Sequence, residues 1–303
     1  MENSLQTTTF DSVEKVQAAI KRQKVLKIVF KVFIYIFLVL VAISTLFPFY
    51  WMVNTSLKSM EEYMKISPTF FPQSMAWENY GKAVVLDNFG RNMANTLLVA
   101  ITSTGLSMVI IILSAFAFAR LQFKGKNLMF TILLATMMVP GELFTISNYA
   151  TVTSLGWANS YTVLIVPFLV SIFYVYLLRN AFMQIPDSLY YAAKVDGTSD
   201  MKYLVKVMIP LASPTITSIT ILKIMGSWNS YIWPKLINHD KEFQLISNWL
   251  TGGFVVEEGS YIGLVDYPMK MAGVFLVSLP LIIIFIFFRK YIMKGVSKSG
   301  IKG

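Results

Sequence analysis

Six apolar runs, each long enough to cross a bilayer, leave this chain few folds to choose from. They lie at about 28–53, 93–118, 128–150, 160–178, 204–224 and 269–288. A hydrocarbon core of about 30 Å takes about 20 helical residues to cross. Inside it every backbone N–H and C=O needs a partner within the protein, which a helix finds among its own residues. The runs therefore predict an all-α integral membrane protein with six transmembrane helices. Charged residues make up 14% of the chain and hydrophobic ones 55%, whereas about a quarter of a soluble protein is charged. The first run is too long for the apolar core of a signal peptide, and no small-residue cleavage site follows it. It reads as a retained anchor that ends in an aromatic belt, Phe47-Pro48-Phe49-Tyr50-Trp51.

An even number of spans puts both termini on one side, and charge chooses the side. Lys15, Lys21, Arg22, Lys24, Lys27 and Lys31 lie before or at the start of the first span. Arg120, Lys124 and Lys126, then Arg179, Lys194, Lys202 and Lys206, then Arg289, Lys290, Lys294, Lys298 and Lys302 fall in segments on the same side. The opposite loops hold only Lys58, Lys65, Lys82, Arg91, Lys235 and Lys241. The positive-inside bias places both termini in the cytoplasm. Residues 1–27 then form a cytoplasmic N-terminal segment, with an amphipathic surface helix expected from Asp11 to Lys27. Residues 28–53 form the first transmembrane helix and 54–92 an extracytoplasmic loop. Residues 93–288 form a core of five spans with a cytoplasmic loop at 185–203, and 289–303 a cytoplasmic tail.

The net charge of +10 does not point to nucleic acid, because the positive residues are spread between apolar segments and form no single basic face. Membrane lipid is the expected surrounding. The absence of cysteine and the single histidine, His239, exclude a disulfide framework and any metal site built on cysteine or paired histidine. No G-x-x-x-x-G-K-[ST] loop occurs, so ATP, if it drives this protein, is bound by another chain.

One polar stretch between two apolar runs is Ile185 to Pro210, IPDSLYYAAKVDGTSDMKYLVKVMIP. Pro186 and Asp187 are helix-start signals, with Asp187 as N-cap. Leu189, Ala192, Ala193 and Val195 give an apolar face at helical spacing. Gly197 stops the helix, since glycine accepts the left-handed conformation that helix ends often need. Thr198, Ser199 and Asp200 can cap a second helix that reaches Pro210 and runs into the membrane. This predicts a short exposed helix tied rigidly to a spanning one, with an alanine pair that lets a partner's backbone approach closely.

Glu142 and Lys223 are ionisable groups placed within the apolar runs, where charge is costly and often functional. Glu142 follows Val139-Pro140-Gly141, and the favoured reading is a helix broken at Pro140-Gly141 with Glu142 near the outer interface; it could also line a pathway mouth. Lys223 is either a counter-ion or substrate ligand, or a lysine that snorkels to the interface. After it comes Trp228-Asn229-Ser230-Tyr231-Ile232-Trp233-Pro234. Aromatic faces and amides suit sugar rings and hydroxyls, and an interfacial aromatic belt accounts for the same residues.

These motifs together resemble the permease subunits of binding-protein-dependent ABC importers. Ala192-Ala193, three residues, Gly197, nine residues and Val207-Met208-Ile209-Pro210 is similar to their Glu-Ala-Ala loop, with Asp196 matching the sugar-importer variants. Tyr191 stands where that pattern has Glu, which removes one charged contact to the ATPase. Trp228-Asn229 followed by Trp233-Pro234 is similar to the W-N-x-x-x-W-P run of the carbohydrate-importer members. Phe47 to Met52 with Ser56-Leu57-Lys58, then Trp77-Glu78-Asn79-Tyr80, and the tail Lys298-Ser299-Gly300-Ile301-Lys302-Gly303 look like the MalG-type members.

The resemblance implies a type I importer permease fold and a non-catalytic subunit that binds no cofactor itself. Its partners would be a second, homologous permease, two ATPase subunits that use ATP and Mg, and an extracytoplasmic sugar-binding protein. The candidate ATPase-coupling residues are Tyr191, Ala192, Ala193, Asp196, Gly197, Ile209 and Pro210. The candidate substrate pathway is Trp228, Asn229, Tyr231, Trp233 and Glu142. By the same likeness, Leu236 to Asp266, with Gly252-Gly253, Glu257 and Glu258, would reach the binding protein, and Ser297 to Gly303 the ATPase. Three rivals remain: an ion-coupled transporter with Glu142 and Lys223 as coupling pair, an ABC permease for a non-sugar solute, and a membrane scaffold.

Overall fold

A computed structural model describes residues 2–297 except Glu258, with side chains described between Arg22 and Lys290. The tail motif at 298–303 and Glu258 lie outside the described residues, as does the Ser297 side chain. In chain order the helices are α1 (Glu2–Ser56), α2 (Glu78–Val85), α3 (Phe89–Ala119), α4 (Lys126–Thr136), α5 (Thr145–Ser154), α6 (Tyr161–Ile165) and α7 (Ile172–Met183). They continue with α8 (Asp187–Val195), α9 (Asp200–Tyr203), α10 (Ser213–Trp228), α11 (Ile232–Ile237), α12 (Ile246–Trp249) and α13 (Tyr267–Ser297). Among the described residues, β structure is limited to an isolated bridge between Val255 and Val265.

Three candidate spans are long enough to cross alone, one of them kinked at Asp87-Asn88, and three are bent pairs of helices. Arg22–Ser56, Glu78–Arg120 and Tyr267–Lys290 are long and apolar enough to cross a membrane alone. The other three apolar runs are not the straight helices their hydropathy predicts. Lys126–Thr136 meets Gly141–Ser154 at 81°, Tyr161–Phe168 meets Ile172–Met183 at 44°, and Asp200–Leu211 meets Ser213–Ile237 at 81°. Proline accounts for the positions, because it lacks the N–H that would continue the ladder. Pro140 stands in the first break, Pro167 just before the second, and Pro210 and Pro214 on either side of the third. The expected break at Pro140-Gly141 is present. The short helix at 187–195 is not rigidly continuous with a spanning helix, because the bend at Ala212 intervenes.

α3 is the central post. Its buried residues Asn92, Thr96, Val99, Ser103, Ser107, Ile111, Ala115 and Phe118 recur every three or four positions, the spacing of one helix face. α7 and α10 pack against it, and α10 packs in turn on α13. One buried cluster at one end of this post includes Ile111, Phe116, Leu178, Phe182, Tyr203, Leu204 and Met208. α1 is different: from Arg22 to Tyr50 its side chains are exposed, and burial begins only in its last two turns, at Trp51 to Ser56.

The segment from Leu236 to Asp266 is a folded cap. Ile246, Trp249 and Phe254 are buried with Ala83, Trp228, Met269 and Val277. Asn95 of α3 donates to the carbonyls of Glu242 and Gln244 at 2.8 and 2.9 Å, and Trp249 Nε1 donates to Leu86 O at 3.0 Å. Gly273 of α13 permits this closure, since a Cβ there would stand 2.9 Å from the Trp249 ring.

The loop between α1 and α2 is held by a buried carboxylate. Glu62 accepts from Thr69 Oγ1 at 2.6 Å, from the Gln73 N–H at 3.0 Å and from Ser74 Oγ at 3.0 Å. Burial pushes this carboxyl up, but the hydrogen bonds from Thr69, Gln73 and Ser74 outweigh it and hold the group below its ordinary range. The contribution is therefore complete above the unfolded carboxyl value of about 4.3 and is lost as pH falls through the lower folded value. Limited proteolysis across 57–76 should show this loop opening in acid. In Glu62→Gln, cleavage should already be raised at neutral pH and the acid step should disappear.

Candidate functional site

Two places carry candidate functional residues: the exposed helix α8 and a cavity within the spans. Pro186 occupies the N-cap position of α8, with no side-chain capping bond, and Asp187 is its first helical residue. Asp187 is thus not the cap that its residue type predicts. Its carboxylate pairs instead with Arg120, the residue that ends α3. The same guanidinium donates to the carbonyls of Phe182, at 2.9 Å, and Ile185. The Arg120 side chain is 4% exposed. Its bonds pin the start of α8 to the end of the central post.

The other end of α8 closes as the glycine predicts. Gly197 has φ +70°. Its N–H donates to Lys194 O at 3.1 Å and the Thr198 N–H donates to Ala193 O at 2.8 Å, the paired bonds of a Schellman motif. Ser199 Oγ then accepts from the Lys202 N–H at 3.4 Å and caps α9. Across the turn, Asp200 accepts from Tyr190 OH at 2.7 Å and pairs with Lys194 at 2.8 Å. Hydrogen bonds from Lys194 and Tyr190 hold the Asp200 carboxyl below its ordinary range.

No neighbour stands within 4 Å of a Cβ built on Gly197, so substitution there is resisted by backbone alone. Gly197→Ala should cost about 1–2 kcal/mol. Gly197→Pro should do more, because it also deletes the bond to Lys194 O. We expect Gly197→Pro to insert normally and lose solute uptake, measured in cells against membrane abundance; normal uptake would remove α8 from the coupling path.

Among the described residues, only one face of α8 meets the rest of the protein. Tyr190 and Ala193 pack on the cluster around Phe182 and Tyr203. Leu189, Tyr191, Ala192, Val195 and Asp196 point outward, with Tyr191 62% and Val195 88% exposed. The apolar spacing of Leu189, Ala192, Ala193 and Val195 thus divides between an inner and an outer surface. Ile209 is half-buried against the same cluster, and Pro210 is exposed in the last turn before the Ala212 bend. A π-helical turn, Leu204–Met208, separates α9 from that bend.

The second place is a cavity of about 280 Å³ between α3, α6, α7, α10 and α11. Ser103, Phe168, Tyr174, Lys223, Ser227, Ser230 and Trp233 are among the residues lining it. Lys223 Nζ donates to Phe168 O at 2.9 Å, and Trp233 Nε1 donates to Val163 O at 3.0 Å. Of the pathway residues expected from sequence, Trp233 lines this cavity and the others do not. Trp228 is 3% exposed in the outer cluster with Trp249 and Met269. Asn229 turns its amide back to Met225 O at 3.0 Å. Tyr231 OH accepts from Lys235 at 2.7 Å. Glu142 is exposed on the 3-10 turn Gly141–Phe144. Among the described residues no ion pair joins Glu142 to Lys223, so the pair proposed for ion coupling is not formed. Sequence reasoning missed Ser103 and Tyr174, and it treated Arg120 as a topology charge only. Serines repeating at four-residue spacing in an apolar span, at Ser103 and Ser107, were the available signal.

Comparison with known proteins bears on both places. The family described as the binding-protein-dependent transport system inner membrane component matches residues 107–298, well over half the chain. The chain belongs to this family. The matched region of this transport-system component contains α8, its Schellman turn and most of the cavity lining. Among its relatives, the arabinooligosaccharides transport system permease protein AraQ of Bacillus subtilis is 28% identical over 281 residues, covering 91% of this chain and 97% of that protein. The diacetylchitobiose uptake system permease protein DasC of Streptomyces coelicolor is 27% identical, covering 88% and 95%. The sn-glycerol-3-phosphate transport system permease protein UgpE of Pectobacterium atrosepticum is 26% identical, covering 88% and 96%. A crystal structure of a bacterial ABC transporter involved in alginate import matches with a TM-score of 0.78 at 23% identity, covering 87% of this chain and 96% of that one. That match establishes the importer permease fold for this component.

Proposed function

We propose that this protein is one permease subunit of a binding-protein-dependent ABC importer for a sugar or oligosaccharide in a bacterial cytoplasmic membrane. Both termini and α8 face the cytoplasm. The observation that carries this reading is the construction of α8: clamped at one end by Arg120, closed at the other by Gly197, and presenting Leu189, Tyr191, Ala192 and Val195 outward. A short helix held that firmly, with apolar residues exposed, suits docking into a cleft of an ATPase subunit. ATP and Mg are used by two such ATPases, and this chain makes and breaks no covalent bond. A second, homologous permease completes the pore. The folded cap at 236–266 receives the binding protein.

ATP binding draws the ATPases together and moves α8, which turns the spans from inward-open to outward-open. Taking the two states from 1:99 to 99:1 requires a differential affinity of about 5.5 kcal/mol. The sugar character is supported by the relatives that carry arabinooligosaccharides and diacetylchitobiose. The deciding experiment is binding-protein-dependent ATP hydrolysis by the co-purified complex, screened across mono- and oligosaccharides. Stimulation by one saccharide class is expected. Transport by this chain alone on an ion gradient, with no ATPase co-purifying, would refute the reading.

A further inference from the structure

We propose that the cavity around Lys223 is an anion subsite and that the imported solute carries a carboxylate or a phosphate on a polyhydroxylated body. This deepens the importer reading and rests on it. Lys223 lies five residues before the end of α10, half-buried, within an apolar span. Keeping an ammonium there is costly, and such groups line solute paths more often than they fill space.

The lysine does have a structural task. The helix break after Phe168 frees backbone carbonyls, and Lys223 caps Phe168 O. That task does not need a charge. The adjacent freed carbonyl, Leu169 O, is capped by the neutral hydroxyl of Ser107 at 2.6 Å. An ammonium also has three donors, and the bond to Phe168 uses one. The remaining donors belong to a cavity whose lining contains no Asp or Glu. Among the described residues the four ion pairs all lie elsewhere.

The rest of the lining suits a saccharide. Ser103, Ser227 and Ser230 supply hydroxyls that both donate and accept. Phe168, Tyr174 and Trp233 supply rings, and two of these are fixed edge to face at 6.0 Å with Trp233 tied to Val163 O. A volume of about 280 Å³ lies just under the range of about 300–1,000 Å³ usual for small-molecule sites. It suits one sugar unit, or a polyol phosphate, at a time. One cation without a carboxylate, set among hydroxyls and rings, discriminates for an acidic solute and against a neutral one.

The test uses the complete importer in proteoliposomes, with sibling permease, ATPases and binding protein. Three solutes are offered: trigalacturonate as the carboxylate, glycerol 3-phosphate as the phosphate, and arabinotriose as the neutral control. Wild-type uptake of one anionic solute should exceed that of the neutral one at least tenfold, and which one does so identifies the anion. Lys223→Gln keeps a donor for Phe168 O and removes the charge. It should lose at least tenfold of the anionic uptake with ATPase co-purification unchanged, while Lys223→Arg keeps most of it. A merely structural lysine predicts the reverse, with Gln tolerated and no change in preference. Wild-type uptake of the neutral solute alone, or of no anionic solute, overturns the proposal, and this comparison needs no variant to fold. Saccharide-stimulated ATPase activity in that same preparation would leave the importer reading standing; absence of any co-purifying ATPase would remove both.

Discussion

Arg120→Met is expected to release α8 from the bundle and to abolish uptake in a chain that still inserts. The methionine keeps most of the side-chain volume, so packing around Phe182 and Tyr203 survives. What is lost is the guanidinium, which bonds two backbone carbonyls and the Asp187 carboxylate. Asp187 is 68% exposed in its side chain and rehydrates when abandoned. The Phe182 carbonyl still accepts from the Ile185 N–H at 3.2 Å, but the Ile185 carbonyl is left without its donor, and an unpaired buried carbonyl costs about 1–3 kcal/mol. A loss of that size is roughly a five- to 150-fold change in the population of the seated helix. Proteolysis between Ile185 and Asp200 should accelerate accordingly, while accessibility of the cap at 236–266 stays constant. Asp187→Asn should be much milder, because both carbonyl bonds remain. Equal effects from the two variants would mean that the ion pair, and not the carbonyl clamp, holds α8.

Val195→Glu is the complementary experiment on the opposite face. Val195 is 88% exposed, so the variant leaves the chain's own packing alone. If α8 docks into an apolar cleft, a buried unpaired carboxylate there should cost at least about 2 kcal/mol of association, roughly thirtyfold in affinity. Titration of the purified ATPase onto the permease in nanodiscs reads this directly. Ala193→Glu, which the Ala-Ala motif suggests from sequence, probes something else: Ala193 already packs on the internal cluster, and its substitution disturbs the seat of the helix. Unchanged ATPase affinity in Val195→Glu would move the docking surface off this face.

The contrast between Val195 and Ala193 marks where sequence stops being informative. Hydropathy identifies the six spans because burying backbone in lipid leaves helices as the only local solution. Gly197 and Ser199 are legible because a left-handed C′ residue and an N-cap are local requirements with strong residue preferences. Which side of α8 faces inward is not set by its own residues; it depends on Phe182 and Tyr203, which belong to the helices before and after it. Trp228 misleads for the same reason. Its type fits a sugar platform, but Ala83, Trp249 and Met269 enclose it. Arg120 reads as a positive-inside marker because nothing near it in sequence reveals carbonyls more than sixty residues away. The bends at Pro140, Pro167 and Pro210 are marked by residue type, yet their angles depend on what packs beside them.

Mechanically, the molecule combines struts and joints. α1, α3 and α13 are long single helices, while the other spans are bent at 137–140, at 169–171 and at Ala212. Bending an intact helix in a bilayer sacrifices hydrogen bonds that nothing replaces. At a joint those bonds are already missing or are made sideways, as Ser107 and Lys223 do at the second. α8 sits between the inner segments of two jointed members, Ile172–Met183 and Asp200–Leu211. On the proposed coupling, a load applied to α8 reaches two bent members whose far segments are joined by the bond from Lys223 to Phe168 O, beside the cavity.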